Sequence, residues 1–269
     1  MKKRNFEIRT EIRASVFQLR FLTGTILLVM IFLAKAFPYR AWLVGSGGSL
    51  EGTPWIAVFL YSISSDTALL FLPLTVPLAA AGKAQEELKS RYVLFLTARA
   101  GKKRYLEGKI WGAALSGGTM VIVAMVILIA ILIPWCADIP DLTAPMAMES
   151  AQTDVTSFAE AGIQLHLAVK SLLPGMVCGF LNGAFWALTG SGAAVITRNP
   201  YLGYALPFIL YYVLTVFQER YYRNLFFLSP RQWAYPSRYG AGVCAGILLV
   251  LGAAAALLLG KVMERRMTG

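Results

Sequence analysis

Histidine is almost missing from this chain: His166 is the only one in 269 residues, and the cysteines are three, Cys136, Cys178 and Cys244, far apart in sequence. A zinc or haem site needs several such ligands at short spacing, so neither is supported, and thiols in apolar runs read as small packing residues. Charge is scarce as well, at 14% of residues, against 57% apolar residues and a mean hydropathy of +0.61. No phosphate-cradling loop is present, because Gly82-Lys83 and Gly101-Lys102 each lack a glycine five residues upstream and a Ser or Thr directly after the lysine. The chain is therefore not expected to hydrolyse ATP by itself. The alternating pattern of an outer-membrane β-barrel is also absent.

What is present is a series of apolar runs. Crossing the hydrocarbon of a bilayer takes about 20 mostly apolar residues, and lipid cannot satisfy exposed backbone groups, so such runs read as helices. Six occur, at about Phe21 to Phe37, Trp55 to Ala81, Ile110 to Ile133, Ser171 to Thr197, Tyr201 to Phe217 and Tyr239 to Gly260. The expected fold is an all-α membrane protein of six transmembrane helices forming a single domain over residues 1–269. The second run is long enough to tilt or to extend outside the bilayer.

Orientation follows from the Lys and Arg bias of alternate loops. Lys2, Lys3, Arg4, Arg9, Arg13 and Arg20, then Lys83, Lys89, Arg91, Arg99, Lys102, Lys103, Arg104 and Lys109, then Arg198, then Lys261, Arg265 and Arg266 fall on one side. The other side holds Lys35, Arg40, Lys170, Arg220, Arg223, Arg231 and Arg238. Both termini are expected in the cytoplasm. The net charge of +11 is mostly juxtamembrane, which makes nucleic-acid binding the weaker explanation of it. Lys2 to Arg4 ahead of an apolar run ending Ala34-Lys35-Ala36 resembles a signal peptide, but the long charged region with Glu7 and Glu11 argues for a retained first span.

Before that span, Ile8, Ile12, Val16 and Leu19 recur at helical spacing among charges, so residues 1–20 are expected to form an interfacial amphipathic helix. In the fourth run Gly175, Gly179, Gly183, Ala187 and Ser191 recur every four residues, and the sixth holds Gly240, Gly242 and Gly246. Small residues so spaced let helix backbones approach closely. Outside the membrane, residues 135–166 carry Asp138, Asp141, Glu149, Asp154 and Glu160 with no basic residue, and read as an irregular solvated loop and a short helix. Residues 218–237 interleave aromatics with Arg220, Arg223 and Arg231, as an outer-interface segment does. Tyr221, Phe226, Phe227 and Trp233 are its candidate gate residues.

Catalytic motifs are weak. Gly190-Ser191-Gly192 resembles the serine motif of rhomboid proteases, but Thr189 stands where those have glycine, and a histidine base within the membrane is missing. Glu86-Glu87-Leu88-Lys89-Ser90-Arg91 matches the EExxxR signature of CAAX-type intramembrane proteases, which need further histidines on other spans. Solvated charges pairing four residues apart, Glu87 with Arg91, explain it better. Asp66 lies inside the second apolar run, where a charge at the bilayer centre costs about 2.5–3.5 kcal/mol. It either lines a path or marks the outer interface, and both readings stay open.

The tract RYVLFLTARAGKKRYLEGKIWGAALSGG, Arg91 to Gly118, with the six-span plan and the amphipathic start, resembles the permease subunits of ABC-2 type ABC transporters. The resemblance implies an exporter in the bacterial cytoplasmic membrane, working as a dimer with itself or a related permease. It also implies separate ATPase subunits that bind ATP and Mg, so that this chain holds no cofactor and is not an enzyme. In that family the loop between the second and third spans forms a coupling helix seated on the ATPase. Here that is the 83–109 cytoplasmic loop, with Arg91, Tyr92, Phe95, Arg99, Lys102, Lys103 and Arg104 as docking residues. Re-entrant helices join the last two spans outside, which places such a segment at Tyr221 to Trp233.

The residues agree with that assignment. Tyr92 to Leu96 is an apolar stretch too short to span, followed by Gly101 and a basic cluster. The competing reading is a basic hairpin holding lipid headgroups, for which charge removal leaves ATPase coupling intact. A CAAX-type protease and a non-transporting immunity or sensor subunit are the alternative functions.

Overall fold

The computed structural model describes residues 18–45, 54–90, 92–139, 156–222, 225, 229–234 and 240–268, and among these it is all-helical with no strand. The helices are α1 (Leu19–Gly45), α2 (Pro54–Ser64), α3 (Asp66–Thr75) with the 3-10 turn Val76–Ala79, α4 (Ala81–Lys89) and α5 (Tyr92–Ala100). They continue with α6 (Lys102–Trp135), α7 (Thr156–Thr197), α8 (Pro200–Tyr221), α9 (Pro230–Ala234) and α10 (Ala241–Thr268). Among the described residues, α1, α6, α7, α8 and α10 are long and apolar enough to cross a membrane, and α2 with α3 makes a sixth if the bent pair is one span.

Element boundaries depart from the hydropathy reading for physical reasons. The second run is two helices meeting at 59°. Its serines cause the break: Ser62 Oγ donates to Val58 O at 2.6 Å and Ser65 Oγ to Ser62 O at 2.9 Å, while Ser65 caps α3 by accepting from Ala68 N. The third helix starts at Lys102, well before the lipid-compatible stretch from Ile110, because Lys, Arg and Glu favour helix as well as Leu does. Hydropathy locates lipid, not helix ends. The fourth is one continuous helix from Thr156 to Thr197, so residues 156–166 of the expected outer segment belong to it, and residues 140–155, where the rest of that loop and short helix were expected, lie outside the described residues. The first extends past Phe37 to Gly45. Most of the amphipathic segment expected at 1–20 lies outside the described residues.

Without a hydrophobic drive between helices, packing depends on close approach. α6 and α7 cross where a Cβ on Gly183 would stand 2.6 Å from Gly117 O, and one on Gly117 would stand 2.5 Å from Gly183 O. Gly179 beside Met125 and Gly118 beside Phe180 extend the same contact, so the expected small-residue ridge of the fourth run is an internal seam. Gly242 and Gly246 on α10 behave otherwise, with nothing within 4 Å of an added Cβ. α7 is the most enclosed long helix, and α8 and α10 are the least buried. Hydroxyls inside the spans bond their own helix, as Thr25 does with Phe21 O at 2.9 Å and Ser191 with Ala187 O at 2.8 Å.

Ion pairs define two ends of the bundle. At one, α4 meets the starts of α1 and α6 through Arg20–Glu86 and Lys109–Glu87, and the end of α10 meets the start of α6 and the end of α7 through Lys102–Glu264 and the hydrogen bond from Arg266 to Ile196 O. At the other, Arg40 joins the end of α1 to Asp138 beyond α6, and Arg231 of α9 joins Asp66 and Glu219.

Candidate functional site

The tract expected to dock a partner is no loop. It is α4, α5 and the first turns of α6, folded as a helical hairpin beyond the spans. Gly101, at φ +85°, makes its sharp turn, a conformation that L side chains rarely adopt. The Gly101 amide donates to Thr97 O at 2.9 Å and its carbonyl accepts from Tyr105 N at 3.1 Å, so one residue closes α5 and opens α6.

A buried ionic knot ties the base of this hairpin. Lys109 Nζ lies 2.6 Å from Glu87 Oε1, Tyr105 Oη donates to Glu87 Oε2 at 2.9 Å, and the ammonium stands 5.5 Å over the Tyr105 ring. Lys109 is only 6% exposed and Glu87 16%. The expectation of a solvated Glu87 is therefore corrected, since Glu87 turns inward to α6, while its expected partner Arg91 lies outside the described residues. Glu86 reaches Arg20 Nη2 at 2.7 Å, and Gly82 lets both approach Tyr204, since a Cβ there would meet Arg20 Nη1 at 2.7 Å and Tyr204 Oη at 2.8 Å. Both carboxylates of the EExxxR motif are thus engaged by cations. Among the described residues no three His, Cys, Asp or Glu side chains gather as a metal-ligating group.

The outward side of the hairpin is different. Val93 is buried against the bundle while Phe95, on the same helix, is 76% exposed. Lys103 and Arg104 are exposed on the first turn of α6, and Lys102 leans to Glu264 of α10 at 3.3 Å. The side chains of Tyr92 and Arg99 lie outside the described residues. Phe95, Lys103 and Arg104 thus remain as an aromatic and two cations on the adjoining helices α5 and α6.

The opposite end carries the other candidates. Asp66 opens α3, where a carboxylate suits the helix N-terminus, and pairs with Arg231, whose Nε donates to Asp66 Oδ1 at 2.6 Å. Arg231 Nη1 also lies 3.1 Å from Glu219, and hydrogen bonding to Asp66 raises the Arg231 pKa further. Asp66 is exposed at this end of the bundle and is no isolated charge within it. Trp233 is buried, 6.0 Å edge-on from Phe185, whose ring lies 4.7 Å from Trp186, itself 6.1 Å from Tyr211. This aromatic ladder plugs the space between α7, α8 and α9. Tyr221 is exposed beside Phe217, and Phe226 and Phe227 lie outside the described residues.

Sequence reasoning missed the Arg40 clasp. Arg40 Nε donates to Trp135 O at 3.0 Å and Nη2 to both oxygens of Asp138 at 2.9 and 2.6 Å, with the guanidinium 5.0 Å over the Trp135 ring. Its hydrogen bonds hold the Asp138 carboxyl below the usual carboxylate range. An arginine just past one apolar run and an aspartate just past another at the same membrane face were the available signal. No protein-family model, curated protein or solved structure matches this chain.

Proposed function

We propose that this chain is the permease subunit of an ATP-driven exporter of the ABC-2 type, seated in a bacterial cytoplasmic membrane with both termini in the cytoplasm. It pairs with a second permease, and ATP and Mg are handled by separate ATPase subunits. The observation that carries this reading is the hairpin's two-sided construction. Its inner side is anchored by the Glu87–Lys109–Tyr105 knot, while its outer side offers Phe95 with Lys103 and Arg104. A rigid base beneath an exposed aromatic is what transmission of a push requires, and exposed aromatic and cationic side chains are the usual anchors of a protein interface. Motion of the hairpin would pass through α6 to its glycine seam with α7, rocking the spans between inward and outward access.

Purification from native membranes under mild detergent tests this. ATPase activity is expected to co-purify with the wild-type chain and to fall at least about tenfold for Phe95→Asp with Lys103→Glu, a loss of about 1.4 kcal/mol or more of docking energy. If no ATPase accompanies the wild type, or the double variant retains it in full, the docking role is wrong.

A further inference from the structure

Between α7, α8 and α10 runs a groove of about 360 Å³ lined by Phe185, Leu188, Gly192, Leu206, Leu251 and Leu258 among others. That volume falls within the range of about 300–1,000 Å³ typical of small-molecule sites. Its one hydroxyl, Thr189, is spent on its own helix, donating to Phe185 O at 2.9 Å. No polar atom of a ligand is therefore invited into the groove. Gly192 forms part of the floor, where an added Cβ would come no nearer than 3.8 Å to Leu258.

A second hollow of about 420 Å³ shares Ala254 and Leu258 with the first and continues along α10 to Lys261, Val262 and Arg265. The apolar groove thus ends at an exposed cation, Lys261. From Leu251 to Lys261 is ten residues of helix, roughly 15 Å at 1.5 Å per residue. That equals half of the hydrocarbon thickness of about 30 Å. A chain with its tip at Leu251 reaches the midplane when its head stands at Lys261.

We infer that this groove is a binding site for one acyl chain of an anionic phospholipid from the leaflet at the basic end of the bundle, with the headgroup phosphate at Lys261. The depth match selects a bilayer lipid over a soluble amphiphile, and the Lys261 ammonium selects an anionic headgroup over a zwitterionic one. The site does not depend on ATPase docking, because it lies on α7, α8 and α10 and shares no residue with the α5 surface.

The test uses the full chain reconstituted in phosphatidylcholine vesicles carrying a trace of phospholipid with a photoactivatable group on its acyl chain, the headgroup being either phosphatidylglycerol or phosphatidylcholine. Peptide mapping after illumination should find phosphatidylglycerol label concentrated at residues 185–196 and 251–258. The excess over phosphatidylcholine should be about fivefold or more, the ratio that about 1 kcal/mol from the one basic group Lys261 gives. Lys261→Gln should bring the two lipids towards equal labelling, Lys261→Arg should retain the excess, and Gly192→Leu should lower labelling by both. Equal labelling of the wild type by the two lipids overturns the inference without any variant. So does label spread evenly over the lipid-facing α1 residues Leu22, Ile26 and Met30.

Discussion

Replacing Glu87 with Gln isolates the contribution of the knot beneath the hairpin. The substitution keeps the shape of the side chain and an acceptor for Tyr105, and removes only the charge that faces Lys109. With Lys109 6% exposed, water cannot replace the lost partner, and breaking a buried pair from one side costs about 3–5 kcal/mol. At about 2–4 °C per kcal/mol for a chain of this order of size, the midpoint should fall by roughly 6–20 °C. Removing both charges, Glu87→Gln with Lys109→Met, should recover much of that loss, because no buried charge is left unpaired. Cys136, Cys178 and Cys244 are free and buried, so the rate at which a thiol-reactive dye labels the heated protein in detergent reports unfolding without an added probe. A fall of under about 2 °C for Glu87→Gln, or a double variant no more stable than the single one, would refute the claim that this pair holds the hairpin.

Two further outcomes follow from packing and charge. Gly183→Ala places a methyl 2.6 Å from Gly117 O and should destabilise by about 1–3 kcal/mol, whereas Gly246→Ala meets open space and should be neutral or slightly stabilising; equal effects in thermal unfolding would sink the seam. Asp138 has its folded-state pKa lowered by Arg40, so the clasp's stabilisation is complete above the ordinary carboxylate pKa and is lost as pH falls through the lowered value. Between about pH 5 and pH 3 the wild type should therefore lose more thermal stability than Asp138→Asn, and parallel pH profiles for the two would contradict the clasp.

Much of the architecture was legible in one dimension because the bilayer is a one-dimensional filter. Long apolar runs such as Ile110 to Ile133 have a single low-energy backbone in lipid, and no tertiary contact is needed to choose it. Gly101 likewise showed as a break, since glycine at a helix boundary has a purely local cause. The ridge at Gly175 to Ala187 showed that something packs closely there. It did not show that the partner is Gly117 of α6, because spacing along one helix carries no information about its neighbour.

The candidate site was half legible for the same reason. Phe95 and the basic cluster stood out by type, but which of them face away was settled by the fold of α5 against the bundle, which buries Val93 and leaves Phe95 out. Sequence distance did not show the cation that reaches Glu87 from α6, Lys109, which comes within 2.6 Å only once α4 has docked. Asp66 and Arg231 are the extreme case, joined at the end of the bundle away from α4 by elements far apart in the chain.

Composition and spacing by themselves determined that the chain is helical, that it has about six runs fit for a membrane, and where positive charge gathers, because each depends on the cost of exposing a local group to lipid or water. Only the tertiary structure decided which charges are buried together, which glycines form a seam and where an apolar groove meets Lys261, because those energies belong to pairs of groups brought together by folding.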